Sequence, residues 1–368
     1  MLTRALIPVV ALLLAYSSAS AQEPTAAVEG SSVSTRYALA VIDDATFYSG
    51  TPANAPQALN QVLVEPNVGI RYKDRITFST SIIGLSATYD HTVSTLRVKE
   101  MHGGLSVGDF DFTAGRKMVR WGAGYAFTAA GVLDPPRVPT NPSDRLNTNQ
   151  GRDMIKADWV HGAHALTIAW STAELAPGAS PEPGRSVLRD TTAFRYNVLV
   201  RGFDTSLIAG NDRGGDSFGA LTFTRVVGQA WEVHGEAVWR EKGAALIGAK
   251  CTLHSGVTFI GEFYTPPNTA YFRDMSVSPS AGRQRYGFFN AGKSRLRELP
   301  GWKEWDVSGS MVVNLDDRSL IGVADVSRWF GTHFTGYAHV EIPHGGSRSD
   351  FGAARYETAT SVGVRFHL

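Results

Sequence analysis

Little in this chain could brace it covalently or carry it through a membrane as a helix. Cys251 is its one cysteine, which excludes an intramolecular disulfide framework. Lysine is scarce, 8 residues against 27 arginines, and the net charge is only +1. No broad field for a polyanion follows from that balance, and long basic segments that would bind nucleic acid are missing. Phosphate-cradling loops and CxxC pairs are missing too, and no cofactor or metal is expected. After residue 21 no stretch approaches the roughly 20 apolar residues of a spanning helix. Segments of helical period are nearly absent from the same region.

The single long apolar run comes first. Arg4 precedes the run Ala5–Ala15, and Ala19-Ser20-Ala21 offers a small-residue cleavage site before Gln22. This reads as a secretory signal over 1–21, with no lipid-anchor cysteine after it. Residues 22–32 read as a short flexible lead, and 33–368 as one domain.

Period-two alternation is what the chain has in quantity. Trp231, Val233, Ala237 and Trp239 share one face of a strand, opposite Glu232, His234, Glu236 and Arg240. Trp305–Leu315, His333–Ile342 and Thr192–Arg201 repeat the pattern. Alternation alone does not separate a soluble sandwich, apolar inside, from a membrane barrel, apolar towards lipid. Two further features favour the barrel. Aromatics such as Trp159, Trp231, Trp239, Trp305 and Phe366 sit near strand ends, where interfacial girdles belong. Gaps between strands also alternate between short and long.

Seventeen strands are legible, but a single-chain bacterial barrel takes an even number. With the first strand running outward, the long gaps at 48–59, 121–152, 174–190 and from 266 all fall outside. The tight turns at Lys73-Asp74, Ser106–Gly108, 161–164, Gly202 and 227–229 all fall inside. Parity fails only between Thr265 and Glu304, which predicts a further strand near 283–292. The expected fold is therefore all-β, a closed antiparallel transmembrane barrel of 18 strands, with 16 as the alternative. At either size a water-filled path is the default.

The loop after the expected strand 109–120 is far longer than the usual ~4–6 residues. Pro135, Pro136, Pro139 and Pro142 stiffen it, while Gly122, Gly124 and Gly131 allow sharp bends. A long stiff loop on a wide barrel is suited to folding into the lumen. Asp134, Arg137, Asp144, Arg145, Arg152 and Asp153 would then form a charged constriction. Strict alternation places Arg116 and Arg120 towards lipid beside Phe112 and Met118, whereas a bulge at Gly115 would return them to the lumen. A structural role for Arg116, Arg120 and Trp121, tying the loop base to the wall, stands beside the pore role.

The run G-R-K-x-x-R-W-G-x-G-Y-A-F from Gly115 to Phe127, followed by Asp134-Pro-Pro and Gly151-Arg-Asp153, resembles a motif of porin-like outer-membrane proteins. These share a general plan with the alginate-export and related 16–18-stranded specific porins. The match is strongest over 109–173 and at the C-terminus. There Ser361–Leu368 resembles the C-terminal signal of outer-membrane barrels, ending on Leu rather than Phe. The resemblance implies an outer-membrane channel and names no substrate. It also implies an arginine-lined lumen, carried here onto Arg116, Lys117 and Arg120.

The expected function is passive or facilitated passage of small polar or anionic solutes. Solute size would be set by 121–152, and selectivity by Arg97, Lys99, Arg195, Arg201 and the loop charges. Inward positions carry about equal numbers of both signs, so strong anion selectivity would need loop arginines inside. Both a pore wall and a GC-rich genome account for the excess of arginine over lysine. Expected partners are outer-membrane lipid, the solute, and a barrel-assembly machinery reading Gly363, Phe366 and Leu368. Trp159, Trp170 and Phe194 are placed either to pack a homotrimer or to face lipid. The alternative function is a non-conducting barrel whose outer loops bind polysaccharide or a partner protein. The H-x-E pairs His234/Glu236 and His339/Glu341 read as ordinary lumen residues rather than metal ligands. No catalytic constellation appears beyond an outer His344/Asp350 pairing, which reads as a polar loop.

Overall fold

The computed structural model describes residues 33–51, 57–135, 137–139, 146, 148–172, 190–212, 217–240, 243–265, 285–296, 301–354 and 356–368. The expected signal and lead, and the loop residues Asp144 and Arg145, lie outside these.

Alternating residues build one antiparallel sheet of 18 strands. The first nine are β1 (Val33–Ser49), β2 (Ala58–Tyr72), β3 (Ile76–Thr88), β4 (Thr92–Val107), β5 (Phe110–Lys117), β6 (Arg152–His161), β7 (His164–Ser171), β8 (Thr191–Val200) and β9 (Phe203–Asp212). The rest are β10 (Ser217–Val227), β11 (Trp231–Trp239), β12 (Ala244–Thr252), β13 (Val257–Thr265), β14 (Tyr286–Lys293), β15 (Trp305–Asn314), β16 (Leu320–Phe330), β17 (Phe334–His344) and β18 (Thr358–His367). The strand expected from parity near 283–292 is β14.

Each strand pairs with its sequence neighbours, and β1 pairs with β18 from Ala40↔His367 to Ser49↔Thr358. Leu39 and Leu368 exchange backbone N–H···O bonds of 3.1 and 2.9 Å just beyond that ladder. The sheet thus has no open edge, and every strand can satisfy its backbone without water. Large apolar side chains such as Trp170, Phe194, Trp231 and Trp239 stand exposed on the outer face, as lipid contact requires.

The short turns follow from backbone chemistry. Lys73 and Asp74 (φ 47° and 53°) and Arg201 and Gly202 (φ 50° and 80°) supply the two positive-φ residues of a tight hairpin. Arg201 therefore lies exposed in the β8–β9 turn rather than on the lumen wall where alternation had placed it.

The interior is not uniformly polar. Val119, Trp121, Ala130 and Leu133 pack with Met154, Ala169, Ala193, Ile208, Phe218, Ala220, Val238 and Ala244 of β6–β12. A second cluster joins Ala126 and Phe127 to Leu246, Tyr264, Tyr286, Phe288, Val312, Ile321 and Phe351. Each fully buried large side chain contributes on the order of 1.5–3 kcal/mol, so these clusters hold whatever they join.

Candidate functional site: the lumen and its inward segment

The site begins where β5 stops. The expected strand 109–120 ends at Lys117, and the chain turns away from the sheet at Met118. Its backbone N–H donates to Glu100 Oε1 at 2.7 Å. The gap left beside β4 is filled by the returning chain, since the Gly151 N–H donates to the Lys99 carbonyl at 2.9 Å.

From there the segment crosses to the opposite wall. Three backbone N–H groups, of Gly124, Ala129 and Ala130, donate to Glu236 of β11 at 2.7, 2.6 and 2.6 Å. The Thr128 hydroxyl adds a bond of 3.2 Å. Glu262 of β13 accepts from Ala126 and Phe127 at 2.9 and 3.2 Å, and also from Tyr125. His234 Nε2 lies 2.9 Å from the same carboxylate. A buried backbone must have its donors satisfied, and charged acceptors do so most strongly. Phe127, wholly buried, then stacks on Tyr264 with 4.9 Å between ring centroids.

This geometry accounts for the glycine-rich run. A Cβ on Gly122 would sit 1.9 Å from Thr128 Oγ1, so no larger residue fits the tight path. Asp134 fixes the base of the same turn, accepting from the Trp121 and Gly122 N–H groups at 2.6 and 3.1 Å. Burial pushes the Asp134 carboxyl up from its ordinary range, while those backbone donors and Arg137 pull it back.

Of the charges expected at the constriction, Asp134, Arg137 and Arg152 hold the segment. Arg137 donates to the Gly122 carbonyl at 3.1 Å and lies 3.6 Å from Asp134. Arg152 donates to the Val132 carbonyl at 3.1 Å and to Thr191 Oγ1 at 3.3 Å. Arg116 and Asp153 form a two-pronged pair at 2.9 and 2.6 Å. Arg116 keeps the phase of Phe110 and Phe112, and its ladders run unbroken through Gly115 despite that residue's φ of 118°. Of the two alternatives at Gly115, strict alternation holds for Arg116, and a bulge lies on the neighbouring strand. Ser81 pairs with Glu100 and Ile82 with Val98, which leaves Lys99 as the extra residue. Lys99 turns inward and meets both oxygens of Glu65 at 2.9 and 3.0 Å.

A different set stays on the lumen wall. Lys117, Lys156 and Arg195 occupy inward phases of β5, β6 and β8, and Arg195 Nε donates to Ser206 at 3.0 Å. Arg97 lies inward on β4 and Arg120 is exposed in the crossing segment. At the far side Tyr125 donates to Glu232 at 2.8 Å and carries Lys250 over its ring.

The H-x-E pairs do not meet, because β11 and β17 lie apart in the sheet. His339 is held between Asp325 (2.7 Å) and Glu341 (2.9 Å). Asp350, the acid of the outer His–Asp pairing, accepts from Tyr286 Oη and Asn314 Nδ2, both at 2.6 Å. Sequence reasoning missed Glu236 and Glu262 as anchors. The available signal was a glycine-rich segment of unpaired N–H donors facing inward carboxylates more than 100 residues away.

A closed 18-stranded barrel, apolar outside and with the connection after β5 laid against its inner wall, has the architecture of a transmembrane porin. Solved structures of Pseudomonas aeruginosa share this fold. OccK9 (OpdG) matches with a TM-score of 0.63 and 8% identity, over 91% of this chain and 98% of that one. The outer membrane protein OpdK matches with a TM-score of 0.61 and 10% identity, over 91% and 98%. OccD3 (OpdP) matches with a TM-score of 0.61 and 9% identity, over 94% and 92%. No protein-family model matches the chain, and no curated protein is similar to it in sequence.

Proposed function

We propose that this chain is an outer-membrane channel for small polar or anionic solutes, narrowed by the segment 121–152. The observation that carries this reading is the pair of buried carboxylates, Glu236 and Glu262, each accepting three backbone N–H groups from a segment that begins on the other side of the lumen. So many charged bonds are well suited to holding a constriction against flow. The solute path runs beside the segment, past Lys117, Lys156, Arg195, Arg97 and Arg120. Asp134, Arg137 and Arg152 shape it from behind, while the Arg116–Asp153 pair takes the outward phase of β5 and β6. Outer-membrane lipid surrounds the apolar face, and Gly363, Phe366 and Leu368 form the seam strand offered to an assembly machinery.

Single-channel recording of the refolded protein under a salt gradient tests this. Discrete conductance steps are expected, with a reversal potential biased towards anions. A folded protein that passes no current would overturn the reading. The extent of apolar packing inside the barrel, around Trp121 and Phe127, favours in that case the second reading, a non-conducting barrel whose outer loops bind polysaccharide or a partner protein.

A further inference from the structure

At the short-turn end of the lumen a cavity of about 550 Å³ opens against the wall of β13–β18. Its size falls within the ~300–1,000 Å³ typical of small-molecule sites. We infer that this vestibule is a binding site for hydroxyl-rich, uncharged solutes of sugar size, with Trp329 as its stacking surface. The inference rests on the channel reading for its physiological use, though not for its chemistry.

The first observation is the placement of Trp329. Among the described residues it is the one strand tryptophan on the inward phase. Trp159, Trp170, Trp231, Trp239 and Trp305 all take the outward phase, where a lipid boundary rewards an indole. Trp329 instead lines the cavity, and its Nε1–H donates to Asp306 Oδ2 at 2.8 Å. An indole held in place beside water presents a flat apolar surface of the kind that the C–H face of a pyranose covers.

The second observation is the chemistry around it. Asn290, Ser308, Ser327, Thr335 and Tyr337 contribute neutral hydrogen-bonding groups to the lining. Asp306 and Asp325 add carboxylates that already bond Arg295, Trp329 and His339 and keep further lone pairs for hydroxyl donors. Lys293 and Arg365 match those two charges in number, so the lining carries no net formal charge with His367 neutral. A solute that both donates and accepts many hydrogen bonds while carrying no charge fits this lining better than a carboxylate does.

Calorimetric titration of the detergent-solubilised barrel with maltose, and separately with succinate, tests the inference, with bilayer conductance measured on the same preparation. Saturable maltose binding is expected, weakened about tenfold by Trp329→Ala and largely kept in Trp329→Phe. Asn290→Ala, remote from the Trp329–Asp306 bond, should also weaken it and serves if the tryptophan variants do not fold. Succinate binding without maltose binding would overturn the inference. So would the absence of both in a preparation that conducts, which leaves the channel intact. Maltose binding in a barrel that passes no current would uphold the site and sink the channel reading instead.

Discussion

Tyr337 lies across Gly363. A Cβ at position 363 would stand 2.4 Å from the tyrosine hydroxyl and 2.5 Å from Cζ, and that hydroxyl donates to Asp44 Oδ2 at 2.8 Å. One side chain thereby bridges β17 and β1 across β18, at the seam where the barrel closes. The ring's path at that seam depends on the absence of a methyl group at position 363.

Gly363→Ala is accordingly expected to impair closure far more than Tyr337→Phe. The tyrosine variant loses one hydrogen bond, about 1 kcal/mol, whereas alanine forces the ring out of its place. The fraction of barrel with folded, heat-modifiable mobility on a gel reports the difference. Equal effects would show that Gly363 is not needed for the ring's path.

Glu236→Leu and Glu262→Leu should each release the inward segment. Each strands three backbone donors, at roughly 1–3 kcal/mol for every donor left unsatisfied. The double variant should add little to either single one, because both anchors serve one segment. Conductance should rise and become noisier, and unchanged single-channel currents would count against a constriction held by these residues.

Lys99 and Glu65 make a buried pair, so removing one partner leaves an uncompensated charge. Lys99→Met should destabilise the barrel by about 3–5 kcal/mol, and adding Glu65→Leu should restore most of it. Thermal unfolding of the four variants in the cycle measures this. Failure of the second change to rescue would mean the bulge itself, rather than the charge, needs lysine.

Lys117, Lys156 and Arg195 are expected to set ion preference. Replacing all three with Gln should shift the reversal potential towards cations, with the largest effect at low salt, where screening is weakest. A reversal potential that does not move would take these residues off the path.

Among the exposed connections, Arg285 holds the Asp316 carboxyl below its ordinary range through side-chain bonds of 2.8 and 2.5 Å. A depressed carboxyl contributes stability above its unfolded pKa of about 3.9 and loses it as pH falls through the lower folded value. Arg285→Gln should therefore lower the melting temperature slightly at neutral pH and not at all in strong acid. The effect should be small because both groups meet water. A constant difference across the acid range would assign it to something other than this pair.

The strands were legible because each reports its own two faces, and β14 was legible from parity although its sequence alternates weakly. The loop's length and its glycines pointed to the inward course that Gly124–Ala130 takes. Its anchors were not legible, because Glu236 and Glu262 lie on strands that look complete without it. Lys99 shows the same limit at smaller scale. Counting phase placed it inward, but nothing local in β4 announces a bulge, since the reason for it is Glu65 on β2. Arg201 was misplaced for the opposite reason, as a turn overrode the alternation at the end of its strand.

The early end of β5 has a mechanical corollary. The sheet beside Lys99 is completed by Gly151, the last residue of the very connection that leaves it, so the two ends of that connection are built into the wall. Swinging the whole segment outward would break the Gly151–Lys99 and Met118–Glu100 bonds at those ends. Because Gly124–Ala130 is tied to Glu236 and Glu262 as well, the segment is fastened along its length rather than hinged at one end.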